Sequence, residues 1–428
     1  MTNKAKGGKN FSEIKLLDRY ASSEPMAVAV SGGPDSTALM FLVSQSKSFK
    51  NNNVTILVVD HSLRKDSANE ARMVCSNAKT LGFKYKILQW RGDKPLAGIQ
   101  EAARIARYDL MSSWCENNNI DTLFLGHHLG DQVETFLMRL SKGSGIDGLS
   151  SMSKISSYSN TTLVRPFLEV SKKNLIEIAK ASKLKWISDP TNLNSQFQRA
   201  RIRRILPILS KEGIDPHHIN LVIKRMESAK QALNDITTIH ISSFVKNMSD
   251  ISYSLSYRCF SILPKEILLR ILERLIMVAS GSIYPPRRAK VESILSWLEK
   301  GGGVSAKTLS GTIIRRRKDY IIFYRELKGC QSQPVINPLT NRYLSWDNRF
   351  KIKLNKSKKI EVKALGDEGI KILKSKKILK KQGLNNIPLS AWKSVPGLWS
   401  KKRLISVPSL GYCVSDDFKV YIKSIRQP

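Results

Sequence analysis

The stretch Ser-Gly-Gly-Pro-Asp-Ser (Ser31–Ser36) sets two glycines, two hydroxyls and a carboxylate between an apolar run, AVAV, and a helix-forming one, STALM. The pair Gly32 and Gly33 permits positive φ and lets a ligand approach the backbone closely. Amides at a helix start near Pro34 would then point at an anion, and Ser31, Ser36 and Thr37 add hydroxyl donors. Together these make a phosphate cradle, in which Asp35 is placed to hold a divalent cation such as Mg²⁺ against the phosphates. The loop is not a Walker A loop, because the lysine of that motif is missing. A near match elsewhere, GGGVSAKT (Gly301–Thr308), carries Ala306 at the second required glycine and follows a helix. It reads as a turn ahead of a strand.

Three further segments carry chemistry-bearing residues. VVDHSLR puts His61 and Arg64 at the carboxyl end of an apolar strand. GIQEAARIARY (Gly98–Tyr108) sets Glu101, Arg104 and Tyr108 at helical spacing, with Arg107 near the same face. In LGHHLGDQVETFLMRLSKGSGIDGLSSM (Leu125–Met152), His127 or His128 has metal-pair spacing to Asp131, and Glu134 follows one turn later. No third clustered ligand and no His-Glu-x-x-His accompany them, which argues against a metallohydrolase. Further on, Arg199, Arg201, Arg203 and Arg204 crowd one helix with no acid nearby in sequence, a pattern suited to RNA phosphates.

The elements that must position these residues alternate. MAVAV, VTILVVD (Val54–Asp60), KYKILQW and DTLFLGHH (Asp121–His128) read as strands. The helical stretches DSTALMFLVSQS, SANEARMVCSNAKTLG and GIQEAARIARYDLMSSWCENNN lie between them. Such alternation predicts an α/β fold with a doubly wound, mostly parallel sheet, whose ligands bind at the carboxyl ends of strands. From Pro216 to Ser280 the chain reads as helices, followed by a two-strand segment, GTIIRRR and YIIFYRE. A polar connector at 329–341 precedes short strands and a Lys-rich helix. The expected domains are 1–215, catalytic; 216–330, helical; and 340–428, small and α+β.

At 428 residues and 41% hydrophobic content, the chain supports two or three folded domains. Lys and Arg number 71 against 35 Asp and Glu, a net charge of +36, which points to a polyanionic partner, most simply nucleic acid. Five scattered cysteines, none in Cys-x-x-Cys, fit neither a disulfide framework nor a zinc ribbon and suit a reducing cytoplasm. The opening residues lack a signal-peptide core, and no apolar run is long enough to span a membrane.

Ser-Gly-Gly-x-Asp-Ser resembles the PP-loop of ATP pyrophosphatases with the adenosine nucleotide hydrolase-like fold. Within that class, the DHSLR, GIQEAARIARY, HHLGDQVET, RPFL (Arg165–Leu168) and DPTNLNSQFQRARIRRILP segments resemble the tRNA(Ile)-lysidine synthetases. The likeness reaches into IPLSAWKSVPGLWSKKRLISVPSLGY near the end. The chain departs from that pattern at Gly130, where the family has Asp, at Lys142, often Arg, at Asn194, commonly Asp, and at Ala200, usually Asn.

The resemblance implies ATP with Mg²⁺ on Ser31–Ser36, with L-lysine and a tRNA(Ile) bearing a CAU anticodon as the other substrates. It implies adenylation of the C2 oxygen of the first anticodon cytidine, then displacement of AMP by the lysine ε-amine. Arg104 and Arg107 would offset phosphate charge, and Asp131 and Glu134 would orient the lysine. His61, Arg64, His127, His128, Arg199 and Arg203 fall to substrate and RNA, and the two later domains to tRNA. No membrane and no other protein is required, and a homodimer is compatible. A tRNA thiolase on the same fold is the alternative, disfavoured by the isolated Cys75 and Cys115.

Overall fold

The central strand β1 (Met26–Ala29) is apolar throughout, and its alternate side chains are buried on opposite faces. It pairs in parallel with β2 (Val54–Asp60) on one side and β4 (Thr122–Leu125) on the other. β3 (Lys84–Gln89) extends the sheet beyond β2. An antiparallel hairpin of β5 (Ile155–Tyr158) and β6 (Thr161–Val164) extends it beyond β4, giving the order β3-β2-β1-β4-β6-β5. This computed structural model describes residues 11–49, 53–63, 66–92, 94–95, 98–187, 196, 198–303, 305–331, 344–354, 360–381, 387–414, 420–424 and 428.

The faces of the sheet are covered by different helices. Val28, Ile56 and Val58 join a core with α2 (Pro34–Gln45), α3 (Ser67–Thr80) and α7 (Lys172–Ala181). Ala27, Leu57 and Leu123 join a second core with Tyr108, Met111 and Cys115 of α4 (Ile99–Asn117). The remaining helices of this half are α1 (Ile14–Asp18), α5 (Leu129–Leu140), α6 (Ile146–Leu149), α8 (Gln198–Lys211) and α9 (Pro216–Phe244). The strand order reverses between β1 and β4, and both of their carboxyl ends open there. That is where a doubly wound sheet binds its ligand.

The chain parts into two compact units, Met1–Gln231 and Ala232–Pro428, and the division between them lies inside α9. The reason is apolar: Ile219 and Ile223, early in α9, bury against Val133 and Phe136 of α5. In the second unit β7 (Val245–Met248) and β8 (Ser252–Ser256) form a hairpin whose turn residues Ser249 and Asp250 take positive φ. Helix was expected over this stretch, and the two-strand segment is part of a five-stranded sheet. α10 (Cys259–Ile262), α11 (Lys265–Ser280) and α12 (Arg288–Glu299) follow, then β9 (Lys307–Leu309), β10 (Thr312–Arg316) and β11 (Tyr320–Arg325). The sheet runs β7-β8-β11-β10-β9 and packs Ile314, Ile321 and Phe323 against α11 and α12. Gly301–Gly303, all at positive φ, form the turn from α12 into β9, as GGGVSAKT was read.

Past α13 (Leu327–Gln331), β12 (Leu344–Trp346) and β13 (Phe350–Leu354) come β14 (Glu361–Ala364), α14 (Gly366–Ser375), α15 (Ile378–Lys381) and α16 (Leu389–Trp392). The last strands are β15 (Pro396–Ser400), β16 (Arg403–Val407), β17 (Tyr412–Cys413) and β18 (Val420–Ser424). Trp392 and Trp399 centre the core under the β14-β15-β16-β17 sheet.

Candidate active site

β1 delivers Ser31 to a loop closed by its own polar groups. Ser36 Oγ accepts from the Ser31 amide at 3.2 Å and donates to the Gly33 carbonyl at 3.1 Å. Gly32 sits at φ 89, and its carbonyl accepts from the Ile187 amide at 2.8 Å. Gly33 caps α2 and Pro34 opens it, which leaves the first-turn amides facing outward. Gly126, at the end of β4, backs the cradle closely. A Cβ there would lie 3.2 Å from the Asp35 carbonyl oxygen and from Ser36 Cα.

β4 and α5 bring the second group of residues to this cradle. His128 caps α5: its Nδ1 accepts from the Gly130 amide at 2.9 Å, while Asp131 Oδ2 accepts from the His128 amide at 3.1 Å. His128 Nε2 stands 3.6 Å from Oδ2 of Asp35 and 3.6 Å from Oδ2 of Asp131. Asp35 Oδ1 is buried with no hydrogen-bond partner, as is the Thr37 hydroxyl. Burial raises the Asp35 carboxyl above its ordinary value, against the pull of His128 and Lys172. Burial works the same way on Asp131, but the neighbouring His128 and His127, the His128 amide and Arg199 outweigh it and hold that carboxyl below its ordinary value. His127 is driven to about 4 by burial and by Arg165, Arg104 and Arg199.

α8 closes the site with cations. Arg203 is bidentate on the buried Glu134, through Nε to Oε1 at 2.5 Å and Nη2 to Oε2 at 3.2 Å. Arg199 Nη1 lies 4.0 Å from both Asp131 Oδ1 and Glu134 Oε2. The expectation that no acid neighbours this arginine cluster is therefore wrong: α5 packs against α8 and supplies two. Arg201 instead donates to the Gln196 carbonyl at 2.9 Å.

His61 and Arg107 meet at the end of β2, away from those carboxylates. Arg107 donates to His61 Nε2 through Nε at 3.2 Å, and the ring sits edge-on to Trp90. Burial, then Arg107, lowers His61 to about 4, so the ring is neutral. Arg104 lies over the Tyr108 ring. Arg64, the segment 188–195 with Asn194, and residue 197 lie outside the described residues. Gly126, Lys172 and Trp90 were not singled out from the sequence, and only the small residue after DTLFL hinted at the first.

A strand-to-helix anion cradle at the switch point of such a sheet, with a half-buried carboxylate inside it, defines a PP-loop nucleotide-binding protein. Residues 9–209 match the PP-loop domain family. A tRNA(Ile)-lysidine synthase of Wolbachia sp. subsp. Brugia malayi is 37% identical over 340 residues, 78% of this chain and 78% of its own. That of Wolbachia pipientis wMel is 35% identical over 396 residues, covering 90% and 89%. This chain belongs to the tRNA(Ile)-lysidine synthase family. Among solved structures, a tRNA thiolase of Methanococcus maripaludis with its 4Fe–4S cluster aligns at TM-score 0.44 and 16% identity, over 51% of this chain and 77% of that one.

Proposed function

We propose that this protein ligates L-lysine to C2 of the first anticodon cytidine of CAU-anticodon tRNA(Ile), converting ATP to AMP and diphosphate. The product is lysidine, which moves the tRNA from methionine to isoleucine specificity. The observation that carries the reading is the meeting of an anion cradle, Ser31–Ser36, with an acid–base cluster of Asp131, Glu134, Arg199 and Arg203.

ATP phosphates lie on the cradle amides and on the Ser31 and Ser36 hydroxyls. The buried, unpartnered Oδ1 of Asp35 is a hard oxygen donor beside that cradle, and Asp131 offers a second carboxylate. This donor set fits Mg²⁺, which would be held by Asp35 and would supply charge neutralisation at the phosphates. The C2 oxygen attacks the α-phosphate, diphosphate leaves, and the lysine ε-amine then displaces AMP from C2. With its carboxyl held below the ordinary value, Asp131 is suited to bind the lysine ammonium rather than to take its proton. Glu134 shares that task with its charge already matched by Arg203, and the 38% exposed Arg199 side chain faces the lysine carboxylate. Arg104 offsets charge on the phosphates, and Arg107 keeps His61 neutral beside the nucleotide.

A net charge of +36 supports a tRNA partner, held by the 216–330 and 340–428 segments through phosphates and shape. Among the described residues no helix is long and apolar enough to cross a membrane, and we assign the enzyme to the cytoplasm. Thiolation is disfavoured by its cysteines: Cys75 and Cys115 are buried, and burial pushes the Cys115 thiol up to about 12, far from a reactive thiolate. The test is incubation with ATP–Mg²⁺, radiolabelled lysine and an unmodified CAU tRNA(Ile) transcript. Label that survives mild alkaline deacylation, with AMP released, is expected. ATP cleavage without lysine incorporation would sink the reading.

A further inference from the structure

We infer that Gly130 is a positioning residue: by lacking a side chain and by donating its amide, it seats the His128 ring between the carboxylates of Asp35 and Asp131. The ring is 3% exposed, and its Nδ1 accepts the Gly130 amide at 2.9 Å. With Nδ1 accepting, the neutral ring carries its proton on Nε2. That nitrogen stands 3.6 Å from one oxygen of each carboxylate. A Cβ at position 130 would lie 2.7 Å from Cε1 and 3.0 Å from Nδ1 of this ring, so the seated ring and any side chain there exclude each other.

The backbone gives no other reason for glycine. Gly130 does not have positive φ and lies in the first turn of α5, where glycine is a poor helix former. The ring fixes which carboxylate oxygens remain for ligands. Asp35 turns Oδ2 to the ring and keeps Oδ1 without a partner, while Asp131 turns Oδ2 to the His128 ring and amide and leaves Oδ1 toward Arg199. His128 thus acts through the two carboxylates and not on the reacting atoms. The inference rests on the proposed reading of Asp35 and Asp131 as the groups that hold ATP–Mg²⁺ and lysine.

Gly130→Ala, His128→Asn and the double variant test it in the full chain. Asparagine keeps a short acceptor for the α5 amides but has nothing at the place of Nε2. The readouts are the melting temperature and calorimetric ATP–Mg²⁺ affinity, neither of which needs turnover. Gly130→Ala is expected to melt close to wild type, the better helix former offsetting the lost His128 cap, yet to bind ATP–Mg²⁺ about 10-fold more weakly. His128→Asn is expected to lose as much, and the double variant no more than either single. Wild-type affinity in Gly130→Ala overturns the inference, as do losses that multiply to about 100-fold in the double variant. If wild-type protein transfers no lysine while these binding results hold, the substrate reading fails and the seating of His128 stands.

Discussion

Asp35 shows how a residue can serve the ligand at the expense of the empty fold. Its carboxyl is pushed up by burial, so the folded state holds its proton more tightly than the unfolded chain does. That contribution to stability is complete below the ordinary value of 3.8 and is lost as pH rises through the raised one. Asp35→Asn should therefore melt above wild type at neutral pH in the absence of ATP, by a margin that opens as pH climbs past 3.8. Its turnover should fall by about 100-fold or more. Melting curves over a pH series check the first claim, and a margin that stays constant with pH would refute it. His61 carries the opposite sign. Its pKa is lowered from 6.5 to about 4, so stability present above 6.5 is lost as pH falls toward 4. A proton NMR titration of its ring should give a midpoint at about 4, moving upward in Arg107→Gln, because Arg107 is the second cause of the depression after burial.

At the scale of elements, the site depends on how α5 packs against α8. Glu134 is 3% exposed, and Arg203 meets both of its oxygens across 69 residues of sequence. Removing the arginine leaves a buried carboxylate without its bidentate partner. With the Arg203 side chain 32% exposed, solvent screens part of that loss. Arg203→Ala should lower stability by about 2 kcal/mol, and Glu134→Gln in the same chain should restore most of it. Unchanged melting with weakened RNA binding would instead give Arg203 to phosphates. This pairing was invisible in the sequence because α5 and α8 are far apart in it, and arginines on a helix look alike whether they face solvent or a partner. What was legible followed from burial. β1 to β4 and α2 to α4 alternate, and each strand is apolar enough to declare itself, with Val54–Asp60 matching to the residue. The β5–β6 and β7–β8 hairpins went unread because ISSY, TTLV, VKNM and SYSLS are four or five residues long and at least half polar, joined by turns rather than flanked by apolar runs. The cradle was readable because its glycines, serines and aspartate are contiguous. The seat of His128 was not, since its meaning lies in an empty volume over Gly130.

For the whole molecule, the charge of +36 is the dominant electrostatic fact, and it bears on binding rather than on chemistry. If basic side chains neutralise about six tRNA phosphates, affinity should fall on the order of 10³-fold between 50 and 200 mM salt, linearly in logarithmic coordinates. If Asp35 neutralises no RNA phosphate, Asp35→Asn should bind tRNA with the same slope as wild type while failing to turn over. Filter binding of the full-length protein across a salt series measures both quantities. A slope near zero would assign the excess charge to a solvated surface without an RNA partner. A slope that changed in Asp35→Asn would mean that the carboxylate and the RNA phosphates compete within one site. Parallel lines for the two proteins, with catalysis lost in only one, would assign Asp35 to the ATP chemistry and the salt-dependent affinity to basic side chains elsewhere on the chain.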